Sequence, residues 1–231
     1  MTKITLNKRL NIFIDETGEF GFVRGAARFY GVSLVFHEQS ASISNELNTL
    51  NERLEHLNFH SMIHMGDLVS GHGDFIGMNI KERRKIYIQL HKFASTIPAN
   101  YYSFFIDKKD FNTNHALEGR IEKALQELIL SNLKYFQNFD EIKVYYDGGQ
   151  RQLSKIIDKV FGELNGYEKK PDFDHTEKKL FQVADMLTYV DKLVYKYSNK
   201  LKFSKTEISF FNYKTIDKIK RDLKNHRFEQ K

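Results

Sequence analysis

The tetrad Asp15-Glu16-Thr17-Gly18 follows directly on the apolar run Leu10-Asn11-Ile12-Phe13-Ile14, so carboxylates arrive at the end of a strand that must be buried. A second apolar run, Ile142-Lys143-Val144-Tyr145-Tyr146, ends in the same way at Asp147-Gly148-Gly149. Two such strand ends lying side by side make a metal site. The chain contains no Cys, which removes disulfides, thiolate zinc and thiol nucleophiles. Any metal must then rest on oxygen or His, and hard cations such as Mg²⁺ or Mn²⁺ are the natural candidates. The bland reading of Asp15 and of Asp147 is a turn former that accepts bonds from nearby backbone amides. Glu16, one position on, points to the opposite face from Asp15 unless the turn reorients it.

A third acid lies in Leu180-Phe181-Gln182-Val183-Ala184-Asp185-Met186-Leu187. On a helical wheel Leu180, Val183, Ala184, Leu187, Val190 and Val194 share the buried face, and Asp185 falls on the other side. Periodicity therefore predicts a solvated Asp185. It reaches a cleft only if Phe181 and Met186 pack on a second surface.

The elements that must position these groups read as follows. Residues 10–15 and 28–36 form an antiparallel strand pair joined through Gly18, Gly21 and Gly25. Ile43, Leu47, Leu50, Leu54 and Leu57 trace one face of a helix. Residues 58–79, with four glycines and with His60, His64 and His72, read as a long loop. The histidines are candidate proton donors or substrate contacts there, although surface and packing roles are commoner. Asn79 caps a helix running to Ile97, and Pro98 marks its end. Lys81, Arg83, Arg84 and Lys85 on its first turns are either a phosphate track or a wet helix face. Residues 101–106 form a strand, and 117–132 a helix before the second acid-tipped strand. Helices are expected over 152–164, 180–197 and 215–225; around Pro171-Asp172-Phe173-Asp174 the pattern is too short to assign an element, though a short edge strand would tolerate the proline. This order implies an α/β or α+β fold, a sheet covered by helices, in one domain spanning 1–231.

With 231 residues, 41% of them hydrophobic and including 20 Phe and 12 Tyr, there is ample core material. No apolar stretch approaches the roughly 20 residues that cross a bilayer, and the first residues lack the apolar core of a signal peptide, so no membrane role is expected and the cytoplasm is the default. The net charge of +6 is uneven. From Lys192 to Lys231 there are twelve Lys or Arg and four acids, a balance of +8, which leaves -2 for the first 191 residues. A basic helical extension over about 198–231 suits a polyanion, because clustered cations bind phosphates with release of counterions. A solvated helix face is the alternative.

The segments Phe13-Ile14-Asp15-Glu16-Thr17-Gly18, Val144-Tyr145-Tyr146-Asp147 and Leu180-Phe181-Gln182-Val183-Ala184-Asp185-Met186-Leu187 resemble, in order and spacing, the motifs of the largely uncharacterised bacterial and phage domain-of-unknown-function family 3800. That family is assigned to the ribonuclease H-like superfamily. The resemblance spans 10–197, with a further likeness at 204–211; Thr17 stands where the family commonly has Ser, and Phe181 where it often has Leu. It implies a ribonuclease H-like central mixed sheet flanked by helices. Asp15 and Asp147 lie on adjacent strands, and a late helix presents Asp185 to the same cleft, against the helical-wheel reading. It further implies that Asp15, Asp147 and Asp185 hold divalent metal, with Glu16 a fourth carboxylate; in a catalytic site of this kind Asp15 would bridge two ions and Glu16 would orient a water or a metal ligand. The activity implied is metal-dependent phosphodiester hydrolysis of DNA or RNA. The other reading is a catalytically silent nucleic-acid- or protein-binding module that keeps the acidic signature and uses the basic tail. A haloacid dehalogenase-type phosphotransferase would need an acid two positions after Asp15, where Thr17 stands. A sugar-kinase or actin-type fold needs two lobes, for which this chain is short.

Overall fold

The computed structural model describes residues 7–22, 26–170 and 172–228, the side chain of Tyr213 excepted. Arg9–Thr17 (β1), Phe29–Glu38 (β2), Ala99–Asp107 (β3), Glu141–Tyr145 (β4) and Tyr167–Lys170 (β5) form one mixed sheet in the order β3-β2-β1-β4-β5. β1 pairs antiparallel with β2 and β2 with β3, whereas β1–β4 and β4–β5 are parallel. The parallel pairs have helices in their crossovers, as parallel connections require. Gly18, at φ +89°, starts the turn from β1 toward β2; a Cβ there would sit 2.3 Å from the Phe29 carbonyl oxygen.

Both sheet faces are covered, and the period-2 alternation sorts each strand's side chains between them. Leu10, Ile12, Ile14, Leu34, Ile142 and Val144 face the layer of Asn114–Ser131 (α4) and Arg151–Phe161 (α6). Phe13, Val35, Tyr101 and Tyr145 face Ser44–Glu55 (α1), Ile80–Ala94 (α3) and the long helix His175–Ser198 (α7). Two shorter helices, Met65–Ser70 (α2) and Leu133–Phe136 (α5), lie on the connections. α7 crosses the second face with Leu180, Val183, Leu187, Val190 and Leu193 almost wholly buried. Each such side chain contributes about 1.5–3 kcal/mol of hydrophobic stabilisation. Its start is fixed by a capping box, in which Asp174 accepts from the Glu177 backbone N–H and Glu177 accepts from that of Asp174, both at 2.8 Å.

The basic C-terminal stretch packs on the same layer. Lys205–Phe210 (α8) and Tyr213–Asp222 (α9) place Phe210, Ile216 and Ile219 in the α7 core, and Lys196 of α7 pairs with buried Glu207 of α8 at 2.7 Å. The chain then runs along the outer edge of β3, where the Phe228 N–H donates to the Tyr101 carbonyl at 2.7 Å and Arg227 forks onto Asp191 of α7 at 2.5 and 2.6 Å. This covers an otherwise exposed sheet edge.

Two expectations are corrected. The segment 58–79 is not loop throughout, since α2 and a short 3-10 turn at Gly73–Phe75 interrupt it; six residues are too few to display a helical period. The edge strand lies at Tyr167–Lys170, ahead of 172–174, because parallel pairing with β4 sets it there although Tyr-Glu-Lys-Lys shows no apolar alternation. Gly25, in the expected connection between the first two strands, and Pro171, beside the expected edge strand, lie outside the described residues. Among the described residues no helix is long and apolar enough to cross a membrane.

Candidate functional site

The parallel register of β1 and β4 matches Phe13 with Tyr145, an offset of 132 that carries Asp15 to the level of Asp147. β1 continues to Thr17 against β2, whereas β4 stops at Tyr145, so the two acids meet where the sheet opens. Asp15 follows Phe13 onto the α7 face, and α7 passes over it; the Thr188 hydroxyl reaches the Asp15 carbonyl at 3.4 Å. Burial raises the Asp15 carboxyl well above its usual range, and the negative charges of Asp185 and then Glu16 push it further. Asp147 contributes less. The four expected acids are therefore electrostatic neighbours at one end of the sheet.

Asp185 is about one-fifth exposed, at 21%, and not a surface residue. Phe181 and Met186 are buried, so α7 is covered on more than one side and the helical wheel misplaces Asp185. Its Oδ2 accepts the Met65 backbone N–H at 2.8 Å, with His64 Nδ1 3.9 Å away. One turn earlier Gln182 accepts the Ile63 N–H at 3.2 Å. Gln182 and Asp185 thus fasten the 63–65 stretch to α7. Burial lifts the Asp185 carboxyl to about 6, against the Met65 bond and the His64 charge that lower it.

Glu16 alternates to the α4/α6 side. Its Oε1 accepts from the Tyr146 hydroxyl at 3.1 Å, and that hydroxyl accepts from the Gln150 N–H at 2.8 Å. Its Oε2 is buried with no hydrogen-bond partner in the structure. Burial raises Glu16 from 4.5 to about 7, with the Asp147 charge adding to the rise and Tyr146 opposing it. Gly149 sits between the two acids: a Cβ there would lie 3.2 Å from Glu16 Oε1 and 3.3 Å from Asp147 Oδ1. Asp147 is exposed, and its Oδ1 accepts the Gly149 N–H at 2.9 Å, which is the local turn role.

The structure brings Asp15, Asp147 and Asp185 to one end of the sheet without closing their side chains on a single point. Among the described residues no three His, Asp or Glu side chains gather around one point. The physical reason is visible in the bonds just given, since Asp147 and Asp185 each turn an oxygen to a nearby backbone N–H. Of the loop histidines only His64 adjoins the acids; His60 pairs with Glu55 at 3.2 Å and His72 contacts Ser70 at 3.1 Å. Arg83 and Arg84 are held elsewhere, donating to the Leu68 and Val69 carbonyls and to those of Phe210 and Ser209, so these two serve helix ends. Sequence reasoning missed Tyr146, Gln150, Gln182 and Thr188. Only Tyr146 had a signal, as the residue that separates β4 from Asp147.

No family model matches the chain, and no curated protein matches it. Among solved structures, a chain in the structure of the PCNA:RNase HII complex from Archaeoglobus fulgidus is similar at 16% identity, over 96% of this chain and 92% of that one, with a TM-score of 0.37. The fold described above, a five-stranded mixed sheet with helices on both faces, stands on its own geometry.

Proposed function

We propose that this chain is a divalent-metal-dependent nuclease on a ribonuclease H-like fold. The observation that carries the reading is the register placing Asp15 and Asp147 at one level of adjacent parallel strands, with α7 bringing Asp185 beside Asp15. The donor set fits a hard divalent ion. It is all carboxylate oxygen, the charges of Asp185, Glu16 and Asp147 each push the Asp15 carboxyl up, and Glu16 Oε2 is a buried acceptor with no partner. Asp15, Asp147 and Asp185 would hold Mg²⁺ or Mn²⁺. When bound, such ions stabilise the charge on the attacking and leaving oxygens of an in-line phosphodiester displacement.

The chain's own residues do the rest. Tyr146 fixes Glu16 through Oε1 and leaves Oε2 to orient a water and take its proton, a task suited to a carboxyl held near neutrality. Gly149 leaves space beside Glu16 and Asp147 that any side chain would fill. His64, at the rim beside Asp185, is a candidate donor to a leaving oxygen.

The test is cleavage of labelled RNA and DNA by the full chain with Mn²⁺, Mg²⁺ or EDTA, comparing wild type with Asp147→Asn, an exposed position where the fold should survive. Loss of metal-dependent cleavage by about 100-fold or more is expected, in line with removal of one preorganised charge-stabilising group. Undiminished cleavage in both Asp147→Asn and Asp15→Asn overturns the proposal.

A second reading, a silent binding module, is favoured by one observation, the engagement of Asp185 with Met65 and of Asp147 with its own turn. On that reading Mn²⁺ does not bind, and Asp15→Asn stabilises the protein while nucleic-acid binding persists.

A further inference from the structure

A groove of about 540 Å³ opens beside α7, beyond the β3 edge of the sheet. Its floor is aromatic. The Phe105 ring lies over Gly31 of β2, where a Cβ would sit 2.2 Å from Phe105 Cε1, so the absence of a side chain at 31 is what seats the ring. Tyr195 of α7 packs tilted on Phe105 at 5.6 Å and edge-on to Phe29 at 5.4 Å. Both rings are half-buried.

The facing wall is cationic. Lys220 and Arg221 of α9 and Lys224 beyond it line the groove and are exposed, and among the described residues none of the three has an ion pair or side-chain hydrogen bond. The acid that lines the groove, Asp191, is already neutralised by Arg227 and accepts from Ser103 at 2.6 Å. The groove thus presents aromatic faces beneath uncommitted positive charge.

Its position connects it to the acids. Phe105 pairs with Gly31 and Gly31 with Thr17, and Ser103 pairs with Ser33 and Ser33 with Asp15. Two strand spacings of about 4.8 Å place the groove roughly 10 Å from the strand end that carries Asp15, on the same sheet face.

We propose that this groove binds a single-stranded nucleic acid, with Lys220, Arg221 and Lys224 on phosphates and Phe105 and Tyr195 against bases. Positive charge above aromatic rings is the chemistry of sequence-tolerant single-strand binding. Rings set below a cationic rim are reached by an unstacked base and not by the edges of a paired one. As the track that feeds the carboxylates, the groove rests on the nuclease reading; as a binding surface it does not.

The experiment is fluorescence anisotropy of the full chain with short fluorescein-labelled oligo(U) or oligo(dT), in EDTA so that no cleavage occurs, over a range of salt. The combined variant Lys220→Glu, Arg221→Glu and Lys224→Glu, all exposed positions, should lose at least about tenfold in affinity, and its log–log salt slope should be shallower by about 2, at about 0.7 per single-strand phosphate contact. Tyr195→Leu should lose about fivefold or more with the slope unchanged. Equal or tighter binding of a duplex of the same length, wild-type binding by the triple variant, or equal competition by poly-glutamate overturns the proposal. If the triple variant loses binding and no cleavage is found in Mn²⁺, the groove stands and the nuclease reading falls. If cleavage occurs and the triple variant cleaves single strands as wild type, the reverse holds.

Discussion

Neutralising Glu16 should stabilise the metal-free protein, and the gain should follow pH. The Glu16 carboxyl rises from 4.5 to about 7 on folding, so the folded state binds its proton more tightly than the unfolded chain does. Below pH 4.5 the group is protonated in both states and costs nothing. Through the window from 4.5 to about 7 the unfolded chain loses its proton first, and above 7 the folded state carries the whole penalty. At about 1.4 kcal/mol per pKa unit the full shift corresponds to about 3 kcal/mol. Partial exposure and relaxation of the neighbouring acids reduce that to about 1–3 kcal/mol. Glu16→Gln keeps an oxygen to accept the Tyr146 hydroxyl while removing the charge. In EDTA at pH 8 it should raise the Tm by about 3–10 °C, from about 2–4 °C per kcal/mol for a chain of this size. At pH 4 the two proteins should melt together. Thermal scans across that range decide it. A difference that is flat with pH, or a variant less stable at pH 8, refutes the electrostatic account of the site.

Other outcomes follow from the same geometry. Tyr146→Phe removes the donor to Glu16 and the acceptor for Gln150, so it should cost about 1–2 kcal/mol in urea denaturation. Gly149→Ala drives a Cβ against Glu16 and Asp147, and should lower cleavage more than it lowers Tm. Asp191→Ala strands Arg227 in its partly buried fork, and a loss of about 2–4 kcal/mol is expected by chemical denaturation. Mn²⁺ at 100 times its Kd should stabilise wild type by about 2.7 kcal/mol, and Asp147→Asn by clearly less, in calorimetric melts.

The strands that carry the acids were legible because nothing but burial explains apolar runs such as residues 10–14 and 142–146, and Gly18 and Gly148 mark where each run must turn. α3 was legible from Asn79, whose side chain does accept from the Lys81 and Glu82 backbone N–H groups. Asp185 was not legible from periodicity. A wheel assumes one buried face, and α7 packs against the sheet and also against α2, α3 and α9. α2 was invisible because its formation depends on tertiary partners, the Asp185 carboxylate at its first N–H and Arg83 at its last carbonyls, both distant in sequence. The pairing of Asp191 with Arg227 and the seating of Phe105 on Gly31 have no local sign at all. The first arises when the tail meets the edge of the sheet, and the second when β3 pairs with β2.

The separation of the acids along the chain has a bearing on how the protein is made. Asp147 lies 132 positions after Asp15 and Asp185 lies 170 after it (147 - 15 and 185 - 15), and β1 meets its parallel neighbour only after α1 through α5 have been synthesised. A ribosome adding about 5–20 residues each second needs roughly 10–30 s to traverse that interval. During this time the first acid stands without its companions. On the nuclease reading proposed above, the full set of acids is absent until translation has passed α7, so the nascent chain would be harmless to the message and machinery producing it.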